Sequence, residues 1–404
     1  MSACDYDIAI NGGGMVGAAL ACALGDGPWR VALLETARLP PPGPEVDLRV
    51  SAITLASQRF FQTLGAWEAM THIRVGPFRE MHVWDATGPG QIHFTSAAVG
   101  EAQLGWIIEN RVIQAALLER CQSFANVQLL CPAALETAAV DADGVALLLE
   151  DGRQFSARLL VGADGANSRV RRLAGIEVGG WGYDQKAVVS TVRTEQSHRE
   201  TAWQRFLPDG PLAFLPLPDG CCSIVWSTAP DRADALLHMD DKSFAQALGE
   251  AFAWRLGEII DVGRRGAFPL RLLHARAYVK PRIALIGDAA HVVHPLAGQG
   301  VNLGLLDAAA LAEVLTDADR RAADPGALKV LRRYERWRKG DNLLMQGVLD
   351  GFKRLFGSDL AMVRWLRNAG LTLTDTATPV KQALIRRAMG LAGDLPRLAR
   401  GDRL

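Results

Sequence analysis

The stretch YDIAINGGGMVGAALACALGDGPWRVALLE, residues 6–35, decides the fold. It opens with an apolar run, Tyr6 to Ile10, that alternates little and so reads as a strand buried on both faces. The run breaks at Asn11–Gly17, and AALACAL then continues at helical spacing. Gly12, Gly14 and Gly17 match G-x-G-x-x-G: the first permits a tight turn, the second lets backbone amides approach a pyrophosphate, and the third lets helix and strand pack closely. A second strand, RVALLE, ends in Glu35, eighteen residues after Gly17, where a carboxylate can accept hydrogen bonds from a ribose. The stretch predicts the strand, turn, helix and strand of a dinucleotide-binding unit. Alone it does not distinguish FAD from NAD.

Residues 8–25 carry no charge, but Asp5 and Asp7 stand where a signal sequence needs positive charge, and glycines interrupt the run. A buried element is expected there. The chain has 404 residues, 49% hydrophobic and 22% charged, enough for a sizeable core and about two domains. Lys+Arg 44 balances Asp+Glu 44, which removes any whole-chain electrostatic argument for a nucleic-acid partner. The six cysteines form no CxxC pair and no zinc-ligand spacing, so a reducing compartment and a cytoplasmic location are expected.

Two later motifs give the early turn its company. FSARLLVGADGANSRVRRLAG, residues 155–175, reads as an apolar strand, a sharp break at Asp164 and Gly165, and a basic helix. RIALIGDAAH, residues 282–291, is a buried strand that delivers Asp288 to its carboxyl end, the place where open α/β sheets bind ligands. PLAGQGVN follows, with Gly298 and Gly300 just before a long alanine- and leucine-rich helix whose start suits an anion. His291 and His294 are three apart, but no third ligand stands at a sensible spacing and Pro295 interrupts any helix, so structural histidines are favoured and no metal is expected.

In this order the three motifs resemble those of the single-component FAD-dependent aromatic hydroxylases, the class that includes p-hydroxybenzoate hydroxylase. HPLAGQGVNLGLLD, residues 294–307, is similar to the signature of the ubiquinone-biosynthesis hydroxylases. RVSAITLASQRFFQTLGAW (49–67), ENRVIQAALLE (109–119), QRFLPDGPLAFLPLPDG (204–220) and TPVKQALIRRAMGL (378–391) agree with it, so the likeness runs almost end to end. The resemblance implies that Gly12, Gly14, Gly17 and Glu35 hold the ADP half of FAD. It places Arg49 and Arg111 near the cofactor, Asp164 in the middle motif and Asp288 by the ribityl and phosphate region. Gly298, Gly300 and Asn302 would lie by the isoalloxazine ring, with Pro295, Gly298, Gln299 and Gly300 as the loop that positions it. For Arg49 and Arg111 a surface salt bridge remains the alternative.

The implied activity is hydroxylation of the aromatic ring of a polyprenylated phenol in ubiquinone biosynthesis through a flavin C4a-hydroperoxide. FAD would be resident, O2 the co-substrate, and NADH, NADPH or a redox partner the electron donor. The cofactor carries the hard chemistry, and no side-chain acid or base is identified. The alternatives are an FAD oxidoreductase of the same fold acting on another aromatic compound, and a flavin-binding scaffold subunit of a biosynthetic complex. The W-x-W-x-I-P pattern of flavin halogenases is absent.

The expected fold is α/β: a discontinuous Rossmann-like FAD-binding domain (1–75, 100–178 and 268–340), an inserted, mainly antiparallel-sheet substrate domain (76–99 and 179–267), and a helical C-terminal segment (341–404). Short alternating runs such as AVVSTVRT, PLAFLPL and CSIVWST supply the inserted strands. The C-terminal segment carries ten basic side chains against six aspartates and apolar stripes. Such helices sit on anionic membranes or cap a domain. The expected partners are a lipophilic polyprenylphenol, a multi-enzyme ubiquinone-biosynthesis complex and peripheral contact with the inner face of the membrane.

Overall fold

A computed structural model describes residues 4–293, 299–358 and 360–404. Its first strand, Tyr6–Asn11, has Ile8, Ala9 and Ile10 at 0% exposure, as a strand covered on both faces requires. Parallel neighbours flank it, Val31–Leu34 on one side and Gln154–Gly162 on the other. Val127–Leu130 extends the sheet beyond the former, and Ile283–Leu285 beyond the latter. The chain therefore winds first to one side of Tyr6–Asn11 and later to the other. The switch point between Tyr6–Asn11 and Gln154–Gly162 is where a crevice opens at the carboxyl ends of such sheets.

The second sheet has eight strands in the order His291–Val292, Ile259–Ala275, Val178–Thr194, Cys222–Thr228, Gly210–Pro216, Thr201–Leu207, Glu80–Asp85 and Gln91–Thr95. All neighbours are antiparallel except Thr201–Leu207 with Glu80–Asp85. Two of its strands, Val178–Thr194 and Ile259–Ala275, are each 17 residues long and run through positions 179 and 267, where the sequence suggested boundaries. His291–Val292, which belongs to the late motif, joins this sheet beside Leu273 and His274. The late motif thus starts on one sheet and finishes on the other. A small sheet of Val50–Ile53, Gly105–Glu109 and Gly76–Phe78 sits with them.

Residue 341 falls inside a single helix, Leu328–Phe356, because the side chains on either side of that position grip the same partner. Arg338 Nε donates to Asp307 Oδ1 at 2.9 Å and Asn342 Nδ2 donates to the same oxygen at 3.0 Å, one helical turn apart. The next helix, Ala361–Thr376, is latched to the second sheet through Arg367, whose Nε lies 2.5 Å from Asp85 Oδ2 and whose Nη2 donates to Thr87 Oγ1 at 2.7 Å. Arg367 and Asp85 are both buried, and Asn368 Nδ2 adds a 3.0 Å bond to Asp85.

Asp307 is 0% exposed and joins four segments. Besides the two bonds from the long helix, its Oδ2 accepts from Gly287 N at 3.1 Å and is 2.5 Å from His291 Nε2. Burial alone pushes this carboxyl up, but the His291 ring and its hydrogen bond, Arg338 and Asn342 hold it below the usual carboxylate value. Asp307→Asn should leave the shape and strand Arg338, costing about 3–5 kcal/mol in a urea unfolding experiment. Because the folded carboxyl is the stronger acid, its contribution is present above the unfolded value of about 3.9 and is lost as pH falls through the lower folded value. A loss under about 1 kcal/mol at neutral pH, the size of an exposed pair, would contradict this role.

Candidate functional site

The three motifs emerge side by side. Asn11 pairs with Gly162, and Gly162 with Leu285, so the turns after these residues leave adjacent parallel strands at the same end. Ala163 N donates to Asn11 O at 2.9 Å and Ile286 N to Gly162 O at 3.0 Å, which carries the register past the strand ends.

The glycines of the first turn divide into two kinds. Gly12 has φ +113°, and a Cβ there would stand 2.5 Å from Ala163 O; a Cβ on Gly17 would run into the Gly12 carbonyl oxygen. These two are required by the protein itself. Gly14, at φ −67° and ψ −178°, has an ordinary extended backbone, and its Cβ would meet no protein atom within 4 Å. It is the N-cap of helix Met15–Ala23, which has no side-chain cap and no acidic residue in its first turn. The space in front of Gly14 is therefore lined by unfilled amides, as a pyrophosphate needs.

Asp164 offers a second test of fit. Its Oδ2 accepts from Asn11 Nδ2 at 3.0 Å, Arg169 N at 2.7 Å and Val170 N at 3.1 Å, while its buried Oδ1 has no partner among the described residues. A buried acceptor left without a donor is costly, so the position suits a donor brought by a ligand. Arg171, from the same motif, donates to Ala289 O at 2.8 Å and Ala166 O at 2.9 Å, tying the middle turn to the late one.

Glu35 lines a cavity of about 770 Å³ together with Arg38, Arg111, Gln114 and Cys131. Its Oε1 is taken by Thr36 N at 2.8 Å and Thr36 Oγ1 at 3.1 Å, while Oε2 carries none of these bonds. Gln114 Nε2 donates to Gly13 O at 2.8 Å, joining the cavity wall to the glycine turn. Arg111 both lines the cavity and pairs with Asp47 at 3.2 Å, so the surface-pair and the cofactor-side readings meet in one residue. Arg49 is exposed, with its guanidinium 5.3 Å from the centre of the Phe268 ring.

Asp288 sits on the turn Gly287–Ala289, where Gly287 has φ +60°. Asp288 is exposed, with protein crowded around its carboxyl. This crowding pushes its carboxyl above the usual value, while His291, Arg49 and Arg271 pull it down.

Of the late loop, Pro295 and Gly298 lie outside the described residues. Gln299 and Gly300 open the helix Gln299–Asp319, and a Cβ on Gly300 would make an ordinary 3.6 Å contact with Val293. Asn302 is buried, and its side chain is engaged with protein: Nδ2 donates to Ala52 O at 2.7 Å, and Oδ1 accepts from Thr54 N at 3.1 Å and Ser57 Oγ at 2.7 Å. It fastens the start of the helix to the segment 52–57. At Gly304 a Cβ would come within 2.8 Å of Val16 Cγ2, so the early and late helices approach each other there. Sequence reasoning missed Asp307, Arg338, Asn342, Arg171 and Gly304. For Asp307 a signal existed, one acid within the otherwise apolar run 303–312.

A second cavity, of about 400 Å³, lies between the second sheet, the small sheet and the C-terminal helices. Ile107, Phe94, Met345 and Ile385 are typical of its walls, and Thr54, Gln204, Ser227 and Arg387 are its polar and charged members. The run 206–217 supplies one wall by strand alternation: Pro211, Ala213 and Leu215 face the cavity, while Leu212 and Phe214 are buried in the core on the other side. Thr54 joins this cavity to Asn302 and hence to the late helix.

Residues 5–340 match the FAD binding domain family. A ubiquinone hydroxylase of Rhodospirillum rubrum is 41% identical, covering 98% of this chain and 92% of that protein. The 3-demethoxyubiquinol 3-hydroxylase of Escherichia coli is 39% identical, covering 95% and 98%. The crystal structure of p-nitrophenol 4-monooxygenase from Pseudomonas putida superposes with a TM-score of 0.78 over 95% of this chain and 98% of that one, at 19% identity, a likeness of fold. The chain belongs to the FAD-dependent aromatic-ring hydroxylases, within the ubiquinone-biosynthesis family.

Proposed function

We propose that this FAD-dependent monooxygenase hydroxylates the ring of a polyprenylated phenol on the way to ubiquinone, and that the ring and the first part of its tail occupy the cavity of about 400 Å³. The observation that carries the reading is that cavity: a nearly apolar chamber bonded through Thr54 and Asn302 to the helix that follows the late loop. The two relatives named as a ubiquinone hydroxylase and a demethoxyubiquinol hydroxylase support the same substrate class. NADH, NADPH or a redox partner supplies electrons, and O2 supplies the inserted atom. The protein works in the cytoplasm, at the inner face of the membrane.

The residues fit the cofactor in three places. Gly12 and Gly17 shape the turn, Gly14 leaves room for the pyrophosphate, and the free Oδ1 of Asp164 and the open carboxylate of Asp288 accept from hydroxyls. Glu35 and Arg111 line the cavity for the nucleotide end. Bound FAD supplies the redox and oxygen chemistry. The chain's task is position and dryness. Among the described residues the cavity lining holds no carboxylate and no histidine; Gln204 and Ser227 orient the phenol by neutral hydrogen bonds while the apolar walls exclude water.

Three outcomes test this reading. Gly14→Val should fold but purify colourless, because the side chain enters the space the pyrophosphate needs; a fully loaded yellow variant would contradict the assignment. Asp288→Ala should weaken FAD binding to apoprotein by about ten- to a hundredfold in a fluorescence titration, the weight of a charge-assisted bond or two. An unchanged dissociation constant would mean that Asp288 serves only its own turn. The wild-type protein with NADH, NADPH or a reducing partner should consume oxygen faster when a short-chain prenylated phenol is added, with hydroxylated product by mass spectrometry. Phenol-independent oxygen uptake with every donor would contradict the hydroxylase reading.

A further inference from the structure

We propose that the three C-terminal helices form a docking surface for an anionic lipid bilayer, and that the substrate cavity opens through it, so that a prenylated phenol enters directly from the membrane. The proposal rests on the substrate class just assigned. It names where that substrate comes from.

The first observation is a set of apolar stripes facing outward. Helix Leu328–Phe356 exposes Leu344, Val348, Phe352 and Leu355, which at spacings of four, four and three share one face. Helix Ala361–Thr376 exposes Met362 at 75%, Trp365 at 69%, Leu366 and Leu373, again on one face. Helix Thr378–Ala388 exposes Val380 and Leu384, one turn apart. The middle helix touches both others, so the stripes belong to one layer. Isolated apolar side chains on a surface need no explanation, but a contiguous set of this extent marks an interaction site.

The helices are not loosely placed. The buried Arg367–Asp85 pair fixes the middle helix, Lys381 Nζ donates to Asp375 Oδ1 at 2.8 Å across the following turn, and Gln382 Nε2 donates to Ala98 O at 2.8 Å. With the inner faces held in this way, the apolar stripes are presented outward by construction.

The second observation joins surface and cavity. Val348, Phe352 and Leu384 are each 44% exposed and also line the cavity. They belong to both, and so they mark its mouth. A chamber of about 400 Å³ suits a phenol ring and the start of a tail, whereas a tail of many isoprene units overfills it and must leave by this mouth. Inside the bilayer the rest of that tail stays in hydrocarbon; in water it would not.

The third observation selects lipid as the occupant. Helix Thr378–Ala388 exposes Arg386 and Arg387 and carries no acidic residue, and Arg387 is also part of the cavity lining. Cations at the rim of an apolar face match anionic headgroups around an acyl layer, and Trp365 is a side chain suited to that interface. Among the described residues no helix is long and apolar enough to cross a membrane, so the contact is interfacial. The weight of the surface lies upstream of the basic TPVKQALIRRAMGL stretch, in Leu344 to Leu373.

The test uses the FAD-loaded full chain with vesicles of phosphatidylcholine alone and of an equimolar mixture with phosphatidylglycerol. The wild type should float with the mixed vesicles and bind the neutral ones more weakly. Trp365→Ser with Leu366→Ser, and separately Leu344→Ser with Val380→Ser, should each lower mixed-vesicle binding by about tenfold or more while flavin content stays unchanged. The apparent KM for a long-tailed phenol presented in vesicles should rise by a similar factor, and turnover of a short-tailed soluble phenol should not. A wild type that fails to float, or variants that float as well as it does, would overturn the proposal. So would a self-associating wild type whose dimer is lost in both variants without any vesicle binding, since the surface would then cover a second copy. Vesicle binding with no turnover of either phenol would support docking and contradict the substrate assignment, which keeps the two failures apart.

Discussion

One carboxylate sets the relation between the cofactor turns and everything that follows them. Asp307 lies in the middle of the late helix at 0% exposure, where an unpaired charge would cost several kcal/mol. It is retained because four donors converge on it: Gly287 N from the Asp288 turn, His291 from the edge strand of the second sheet, and Arg338 and Asn342 from the long helix. The Asp288 turn, the start of the late motif and the scaffold of the C-terminal layer are thus referred to one point. It also accounts for His291, whose Nε2 faces this carboxylate.

From that point the site is assembled by close approach. Gly12 against Ala163, Gly17 against the Gly12 carbonyl and Gly304 against Val16 are places where a side chain would force the early, middle and late motifs apart. Gly14 is the exception: no described residue comes within 4 Å of a Cβ there, which leaves the space a pyrophosphate needs. Asn302 completes the assembly by fixing the late helix to Thr54, which caps helix Leu55–Leu64 and lines the cavity of about 400 Å³. The late helix and the apolar cavity are therefore coupled by a short chain of hydrogen bonds.

Much of this was legible in the chain. Strand, glycine turn and helix at 6–23 follow from local periodicity and turn chemistry, and three turns of one kind imply strands that end together. The alternating runs at 187–228 gave antiparallel strands for the same local reason. The interactions that were not legible are those between residues far apart whose identity carries no local signature. Arg338 and Asn342 lie 31 and 35 residues beyond Asp307, and Arg367 lies 282 residues from Asp85. A boundary at 341 looked natural from the change in charge pattern, yet the helix runs through it because both of its Asp307 donors must share a face. The resemblance puts Asn302 by the flavin ring; that its side chain also fastens segment 52–57 was not legible, since an amide side chain gives no sign in sequence of which neighbour it will bind. The C-terminal basic cluster was visible, whereas the apolar stripes beside it became meaningful only once the cavity mouth was seen between them.

The central claim is that this cavity and its FAD serve one step on a prenylated ring. Deletion of the gene in its own host, followed by mass spectrometry of the prenylated quinone pool, tests it most directly. The account predicts loss or marked depletion of ubiquinone and accumulation of an intermediate that keeps its full prenyl tail and lacks ring oxygen, with both reversed by the intact gene and not by the gene encoding Gly14→Val. An unchanged quinone pool in the deletion strain, in a host without a second such hydroxylase, would contradict it.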